Sequence, residues 1–164
     1  MSTGLESSEN VIKQKHHEDC LFCRIAAGEI PAHVVYEDDQ IKAFLDIMPI
    51  RPGHVLIIPK THHDYYDDLP PELAAAIVHQ GQRLGKVMKT LYGVERVAFL
   101  FTGTDVTHVH AHVVPMHEKT DITSPVYIEQ QPLSFRLAPR VDDDELRQTV
   151  AAISAQLGHA VTTM

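Results

Sequence analysis

Three histidines occupy alternate positions in "THVHAHVVPM", residues 107–116: His108, His110 and His112. In a β-strand, side chains two positions apart project from the same face at a spacing of about 6.5–7 Å. The interleaved residues are apolar and would face the core: Val109, Ala111 and Val113. The valines and the following proline favour a strand over a helix. This stretch therefore predicts a row of imidazoles on one face of a strand.

A row of imidazoles suits phosphate chemistry. Neutral histidine is a nucleophile near pH 7, while a protonated neighbour stabilises phosphate oxygens. Three purely structural core histidines would each need a buried partner. A catalytic metal ion held directly by the row is another interpretation, although side chains that point nearly parallel converge poorly on one ion. The zinc-protease pattern H-E-x-x-H is absent, since no Glu follows His108.

Two cysteines, Cys20 and Cys23, form the motif "CLFC" and are the only cysteines in the chain. A thioredoxin-like redox motif should follow a strand, and nothing before Cys20 has a strand pattern. A metal site would need two further ligands from elsewhere in the chain. Reduced, unligated thiols and a disulfide are the alternatives on this motif alone.

Composition restricts the class of protein. The chain has 164 residues and 44% hydrophobic residues, which suits a single globular domain with a core. Its 14 Lys and Arg against 22 Asp and Glu give a net charge of −8, which argues against nucleic-acid binding. The start is polar, and no apolar run approaches the roughly 18 residues of a membrane span. We therefore expect a cytoplasmic protein without a membrane partner.

The elements alternate between helices and strands in an order that indicates an α+β domain with an antiparallel sheet. Residues 1–17 are predicted to be a flexible tail. A short helix over "CLFCRIAAGE" precedes the strands "HVVYE", "IKAFLD" and "HVLIIP". One long helix between Pro70 and Gly93 is followed by the strands "RVAFLF" and "HVHAHVVP". The segment "SPVYIEQQPLSFRLAP" suggests short strands or extended arms, and "DDDELRQTVAAISAQLGH" predicts a terminal helix.

The stretch "HVHAHVV" resembles the His-φ-His-φ-His-φ-φ signature of the histidine triad (HIT) family of nucleotide hydrolases and transferases. The resemblance covers residues 19–118 and includes "CLFC", "FLDI" and "PGHVLIIPK". It implies a HIT-like fold with a HIT domain over residues 18–122 and a C-terminal extension over 123–164. It also implies a homodimer. The "CLFC" motif and the short loop before the triad are similar to the zinc-bearing bacterial-type branch.

The resemblance assigns roles to the histidines. By position His110 is the nucleophile that attacks the α-phosphorus and forms a nucleotidyl-histidine. His112 would contact phosphate oxygens, and His54 matches the family histidine near the phosphates. Zinc-bearing relatives use the first triad histidine and the histidine after the "IPK" strand. The resemblance therefore implies a closed, structural Cys₂His₂ zinc site, formed by Cys20, Cys23, His62 and His108.

The resemblance also implies a nucleoside pocket. Asp46 matches the carboxylate that binds the ribose hydroxyls, and Ile47 would flank the base. Three further residues match apolar wall positions: Leu21, Phe22 and Phe44. For Phe22 and Phe44, an ordinary place in the core is nearly as good an interpretation.

The loop before the triad, "FLFTGTDVTHVH", departs from the family pattern. The Asn-x-Gly step and the Gly-Gln pair are absent, and Thr102 lies near the place of the Asn. We expect three hydroxyls to replace the missing phosphate contacts: Thr102, Thr104 and Thr107. Met116 stands where an Arg is frequent. The sequence predicts a hydrolase of purine nucleotide phosphoramidates, esters or dinucleoside polyphosphates, with a weakly active or inactive nucleotide-binding regulatory module as the alternative.

Overall fold

Helices and strands follow one another in the order that the hydrophobic pattern predicts. A computed structural model describes residues 19–103, 105–122 and 139–158. The helices are α1 (Leu21–Ala26), α2 (Pro71–Tyr92) and α3 (Asp143–Leu157), and a 3-10 turn spans Tyr66–Asp68. The strands are β1 (Val34–Glu37), β2 (Ile41–Leu45), β3 (Val55–Pro59), β4 (Arg96–Thr102) and β5 (His110–Met116).

The five strands form one antiparallel sheet in the order β1-β2-β3-β5-β4. Leu56 of β3 and Leu100 of β4 flank His112, and Thr102 of β4 lies opposite His110. Paired residues of neighbouring strands share a face of the sheet. The register therefore places the Thr102 side chain beside the two histidines of β5.

The larger hydrophobic core lies between the sheet and helices α2 and α3. Its fully buried members come from the sheet and both helices and include Ile57, Ile77, Leu84, Met88, Val113 and Ile153. The apolar residues interleaved with the histidines belong to it, as the alternation predicts: Val109, Ala111 and Val113. Burial of a valine side chain contributes about 1.5–3 kcal/mol. The core thereby fixes which face of β5 the histidines occupy.

The opposite face of the sheet carries a smaller cluster under helix α1. It consists of Phe22, Ile25, Phe44, Leu56 and Ile58. A six-residue helix is too short to be stable alone. The Nζ atom of buried Lys42 donates to the carbonyls of Ile25 and Ala26 at 3.0 and 3.2 Å, which caps the last turn of α1. Packing and this cap hold the "CLFC" motif against the sheet.

The α+β class and the antiparallel HIT-like sheet are confirmed, with one difference at the triad. Strand β5 begins at His110, so His108 precedes the strand that was expected to contain it. The amide of Val109 donates to the carbonyl of His63 at 2.7 Å, so residue 109 bonds to a loop and not to a neighbouring strand. Residues 1–17 and nearly all of residues 124–139 lie outside the described part of the chain. None of the described helices is long and apolar enough to cross a membrane.

Candidate functional site

His110 is held so that one ring nitrogen is available for chemistry. Its Nδ1 lies 2.8 Å from the carbonyl oxygen of His108. A carbonyl only accepts, so Nδ1 carries the proton of the neutral ring and Nε2 keeps its lone pair. The side chain is buried, and its ring packs edge-on against Phe22 with centroids 5.1 Å apart. A neutral imidazole with Nε2 unprotonated is the form that a nucleophile needs.

His112 and His54 form a pair beside His110. The Nε2 atom of His54 lies 2.9 Å from Nδ1 of His112, and the His110 and His112 ring centroids are 5.0 Å apart. Burial lowers the pKa of His54, and His110 lowers it further, while Asp46 opposes the shift. Burial, with His54 and His110 nearby, lowers the pKa of His112 to about 4. Both rings are therefore neutral near pH 7.

Asp46 follows β2 and extends this arrangement across the sheet. Its Oδ2 lies 3.6 Å from Nδ1 of His54, and its Oδ1 accepts a hydrogen bond from the Met48 amide at 2.8 Å. One carboxylate oxygen of Asp46 and one ring nitrogen each of His54 and His112 all lie within 4.8 Å of one another. Asp46, His54 and His112 thus form a line of polar groups from the end of β2 to β5, with the carboxylate at one end.

The predicted apolar wall residues divide into two groups. Phe22 and Phe44 are buried in the smaller cluster with ring centroids 5.9 Å apart, so both pack as core residues. Phe22 also borders His110, with ring centroids 5.1 Å apart. Leu21 and Ile47 are exposed, at 46% and 40% of their surface. Those two side chains are available to a ligand.

The threonine hydroxyls predicted to contact phosphate differ in their distance from the histidines. Thr102 is exposed, and its Oγ1 lies 2.8 Å from Nε2 of His112 and 3.4 Å from Nε2 of His110. Thr107 is exposed, and among the described residues its side chain makes no hydrogen bond to the histidines. Thr104 lies outside the described residues. Of the two hydroxyls that the structure describes, that of Thr102 lies beside His110 and His112.

A second cluster brings together the four residues of the expected metal site. Their ligand atoms lie within 4.8 Å of one another: Cys20, Cys23, His62 and His108. Nδ1 of His108 is 3.4 and 3.5 Å from the two sulphurs, and Nδ1 of His62 is 3.2 Å from that of Cys23. Tetrahedral zinc, with its usual bond lengths, separates sulphur and nitrogen ligands by about 3.5 Å. The donor set and its spacing therefore fit a zinc ion.

The other nitrogens of these two histidines have fixed partners. Nε2 of His62 lies 2.9 Å from Oδ1 of Asp64, and Nε2 of His108 lies 3.0 Å from the Pro59 carbonyl. Such outer partners orient metal-binding imidazoles and set their tautomer. Burial lowers the pKa of His108 to about 4, which keeps the ring neutral. His63, the neighbouring alternative to His62, instead has its Nε2 3.1 Å from the hydroxyl of Thr61.

Sequence reasoning missed the residues that support the loop between β2 and β3. Arg51 of this loop donates from Nε and Nη2 to Oδ1 of Asp121 at 3.0 and 2.6 Å. The Val141 amide, just before α3, donates to the Ile47 carbonyl at 3.1 Å. Such contacts join positions 70 or more residues apart, so no local pattern signals them. Asp64 was missed for another reason, because it reads as an ordinary acidic loop residue.

The fold and both clusters agree with the comparison to known families. The family model described as "HIT domain" matches residues 27–119. The chain therefore belongs to the HIT domain family.

Individual relatives extend this result. The chain is similar to adenosine 5′-monophosphoramidase HNT1 of Saccharomyces cerevisiae, with 38% identity over 61% of this chain and 64% of the relative. It is also similar to adenylylsulfatase HINT3 of Arabidopsis thaliana, with 27% identity over 95% of this chain and 78% of the relative. A crystal structure of a Zn-bound histidine triad family protein from Mycobacterium smegmatis matches with a TM-score of 0.66 and 31% identity, covering 85% of this chain and 94% of that chain.

Proposed function

We propose that the protein is a nucleotide hydrolase or transferase that cleaves a purine nucleotide phosphoramidate, ester or dinucleoside polyphosphate at the α-phosphorus. The observation that carries the proposal is the anchoring of His110, whose Nδ1 is bound to the His108 carbonyl at 2.8 Å. The similarity to an adenosine 5′-monophosphoramidase and an adenylylsulfatase supports nucleotide substrates whose α-phosphorus carries different leaving groups.

In the proposed reaction, Nε2 of His110 attacks phosphorus while the bond to the leaving group breaks. The leaving group takes the bonding electron pair and a proton from solvent. Water then attacks phosphorus and gives a proton to solvent, while the N–P bond breaks, its electron pair returns to Nε2 and the nucleoside monophosphate leaves. Two displacements replace one difficult step, which is the advantage of covalent catalysis.

The neighbouring side chains have supporting roles in this proposal. His112 and His54 lie beside the nucleophile and would border the position of the phosphate group. Asp46 would bind the ribose hydroxyls, with Leu21 and Ile47 as exposed apolar surface for the base.

The test is turnover of adenosine 5′-phosphoramidate and of diadenosine polyphosphates by the wild-type protein and by His110→Ala. We expect product only from the wild type, together with a trapped nucleotidyl-protein in rapid-quench experiments. His63→Ala is the matched control, since that side chain turns toward Thr61 and should leave turnover unchanged. Equal turnover by the wild type and His110→Ala would refute the assignment of the nucleophile.

The altered loop favours a second candidate function. The chain lacks the usual Gly-Gln pair before the triad, and Met116 replaces a frequent Arg. A binding module would hold nucleoside monophosphates without turnover of either substrate. Calorimetric binding with no product formation would support that function over the enzyme.

We also propose that the four-residue cluster is a structural Cys₂His₂ zinc site. Bound zinc would cross-link α1 to the loop after β3 and to His108 in the segment before β5. Four protein ligands complete a tetrahedral shell and leave no position for substrate. Metal analysis of the purified protein should find about one zinc per chain, and finding none would refute this proposal.

The exposed edge of the sheet supports a homodimer. Strand β4 pairs only with β5 among the described strands, and free edges readily pair with another chain. Phe99 of β4 and Val78 of α2 are exposed at 37% and 42% and provide apolar surface there. Light scattering should give the mass of two chains, and Phe99→Glu should shift it toward one. A wild-type protein of single-chain mass would contradict the dimer.

A further inference from the structure

A chain of hydrogen bonds links the loop before β3 to His110. It begins at the backbone amide of Ile50, 3.3 Å from Nδ1 of His54. An amide only donates, so this nitrogen accepts and neutral His54 carries its proton on Nε2. That proton points at Nδ1 of His112, 2.9 Å away.

The donor and acceptor roles of His112 and Thr102 follow from those of His54. Because Nδ1 of His112 accepts, its neutral ring carries the proton on Nε2, which donates to Oγ1 of Thr102 at 2.8 Å. The hydroxyl has a single hydrogen, and its other neighbour in the row is Nε2 of His110 at 3.4 Å. Thr102 therefore accepts from one histidine and donates to the other.

The far end of the chain requires the same direction independently. The His108 carbonyl only accepts, so His110 carries its proton on Nδ1 and its Nε2 must accept. The backbone groups at the two ends cannot exchange donor and acceptor roles. The two ends therefore require the same donor direction along the chain, with His54 and His112 protonated on Nε2 and His110 on Nδ1, and Thr102 links the two halves.

We infer that Thr102 is a positioning residue that aligns the Nε2 lone pair of His110, and that phosphate binding is not its main role. The inference rests on the proposed function of His110. In the free protein the Thr102 hydroxyl donates to the Nε2 lone pair of His110 and so holds the ring in its orientation. As phosphorus takes that position, the hydroxyl hydrogen turns to a phosphate oxygen, while Nε2–H of His112 keeps the hydroxyl oxygen in place. Alignment of this kind affects the chemical step more than substrate binding.

The kinetic test compares Thr102→Val, which removes the hydroxyl at nearly constant shape, with Thr102→Ser, which keeps it. The side chain is exposed, so both variants should fold. We expect Val to lower kcat roughly three- to tenfold, the effect of one hydrogen bond, with KM changed by less than a factor of about two. Ser should restore kcat to nearly the wild-type value. A raised KM at unchanged kcat would assign Thr102 to phosphate binding and overturn the inference, as would equal losses in both variants.

A spectroscopic test does not depend on turnover. Nitrogen NMR of histidine-labelled protein at pH 7 should show His54 and His112 protonated on Nε2 and His110 protonated on Nδ1. In Thr102→Val, the Nε2 signals of His112 and His110 should shift while those of His62 stay unchanged. Protonation of His112 on Nδ1 in the wild type would refute the chain. Absence of turnover by the wild type would instead count against the proposed function, and the NMR result would still decide the chain.

Discussion

The cysteine cluster and the cluster around His110 both contain histidines, but opposite ring nitrogens are anchored in the two. In the cysteine cluster, Nε2 of His62 is held by Asp64 and Nε2 of His108 by the Pro59 carbonyl. The Nδ1 atom of each ring faces the sulphurs. In the neighbouring group of His54, His110 and His112, Nδ1 of His110 donates to the His108 carbonyl and Nε2 is left for a substrate. The nitrogen that the surrounding structure anchors decides which nitrogen is left for a ligand. Residue type alone does not distinguish the two uses.

The clusters are adjacent but separated by one aromatic ring. The Phe22 centroid lies 5.9 Å from that of His108 and 5.1 Å from that of His110. The clusters also share a residue, because the His108 side chain faces the sulphurs while its carbonyl accepts from His110. Changes in one cluster should therefore reach the other through two identifiable contacts.

The largest effect should follow from breaking the cysteine cluster. We expect Cys23→Ser to lose zinc and to unfold at a much lower temperature, because binding energy at a structural zinc site is folding energy. The rate should fall as well, since His108 carries the carbonyl that orients His110. Metal analysis, thermal unfolding and turnover of adenosine 5′-phosphoramidate measure these effects. The control is His63→Asn, and a Cys23→Ser protein with unchanged zinc content and melting temperature would contradict the prediction.

The sequence predicted the elements more completely than it predicted the site. Alternation of His110 and His112 with Ala111 and Val113 was sufficient to place one set of side chains in the core and the other opposite. It could not show that His108 precedes the strand, because that depends on the bond from Val109 to the distant carbonyl of His63. Local pattern determines which face a residue occupies, whereas long-range pairing determines where a strand begins.

The metal ligands and the nucleophile show the same limit. Family resemblance assembled Cys20, Cys23, His62 and His108, and the structure brings these four residues together. Neither spacing nor resemblance indicated which nitrogen of each ring would be anchored. That property depends on Asp64 and on the carbonyls of Pro59 and His108. Every residue has a backbone carbonyl, so the sequence does not show which carbonyl will accept from a histidine.

The next largest effect should come from the ring between the clusters. Replacement of Phe22 by Ala should destabilise the protein by about 3–5 kcal/mol, as expected for a buried phenylalanine. Phe44→Ala is the matched control, since Phe44 packs in the same cluster. Both variants should lose similar stability in urea unfolding, but Phe22→Ala should lose additional activity at a temperature where both are folded. Milder Phe22→Leu and Phe44→Leu variants keep the comparison possible if either Ala variant fails to fold. Equal loss of activity in the matched pair would mean that Phe22 is only a core residue.

A smaller effect should separate the clusters. Asp64→Asn weakens the anchor of His62 without touching His110, so zinc affinity should fall roughly 10- to 100-fold. Competition with a chromogenic chelator measures that affinity, and turnover at saturating zinc should stay unchanged. Asp67→Asn, in the nearby 3-10 turn, is the control. A zinc affinity equal to that of the control would remove Asp64 from the site.

The smallest effect should appear in the pH dependence of stability. The pKa of His112 is about 4 in the folded protein, below the usual histidine value of 6.5, mainly because the ring is buried, with His54 and His110 adding to the shift. Asp46 and Asp105 oppose the shift. Between these two pH values the unfolded chain binds more protons at this position than the folded chain does, so stability falls as the pH falls. The contribution is fully present above about pH 6.5, declines toward pH 4 and levels off below it. Urea midpoints of the wild type should therefore decrease more than those of His112→Gln between pH 7 and 4.5. Parallel decreases in the two proteins would show that protonation of this ring is not linked to unfolding, and that its burial beside His54 does not keep it neutral.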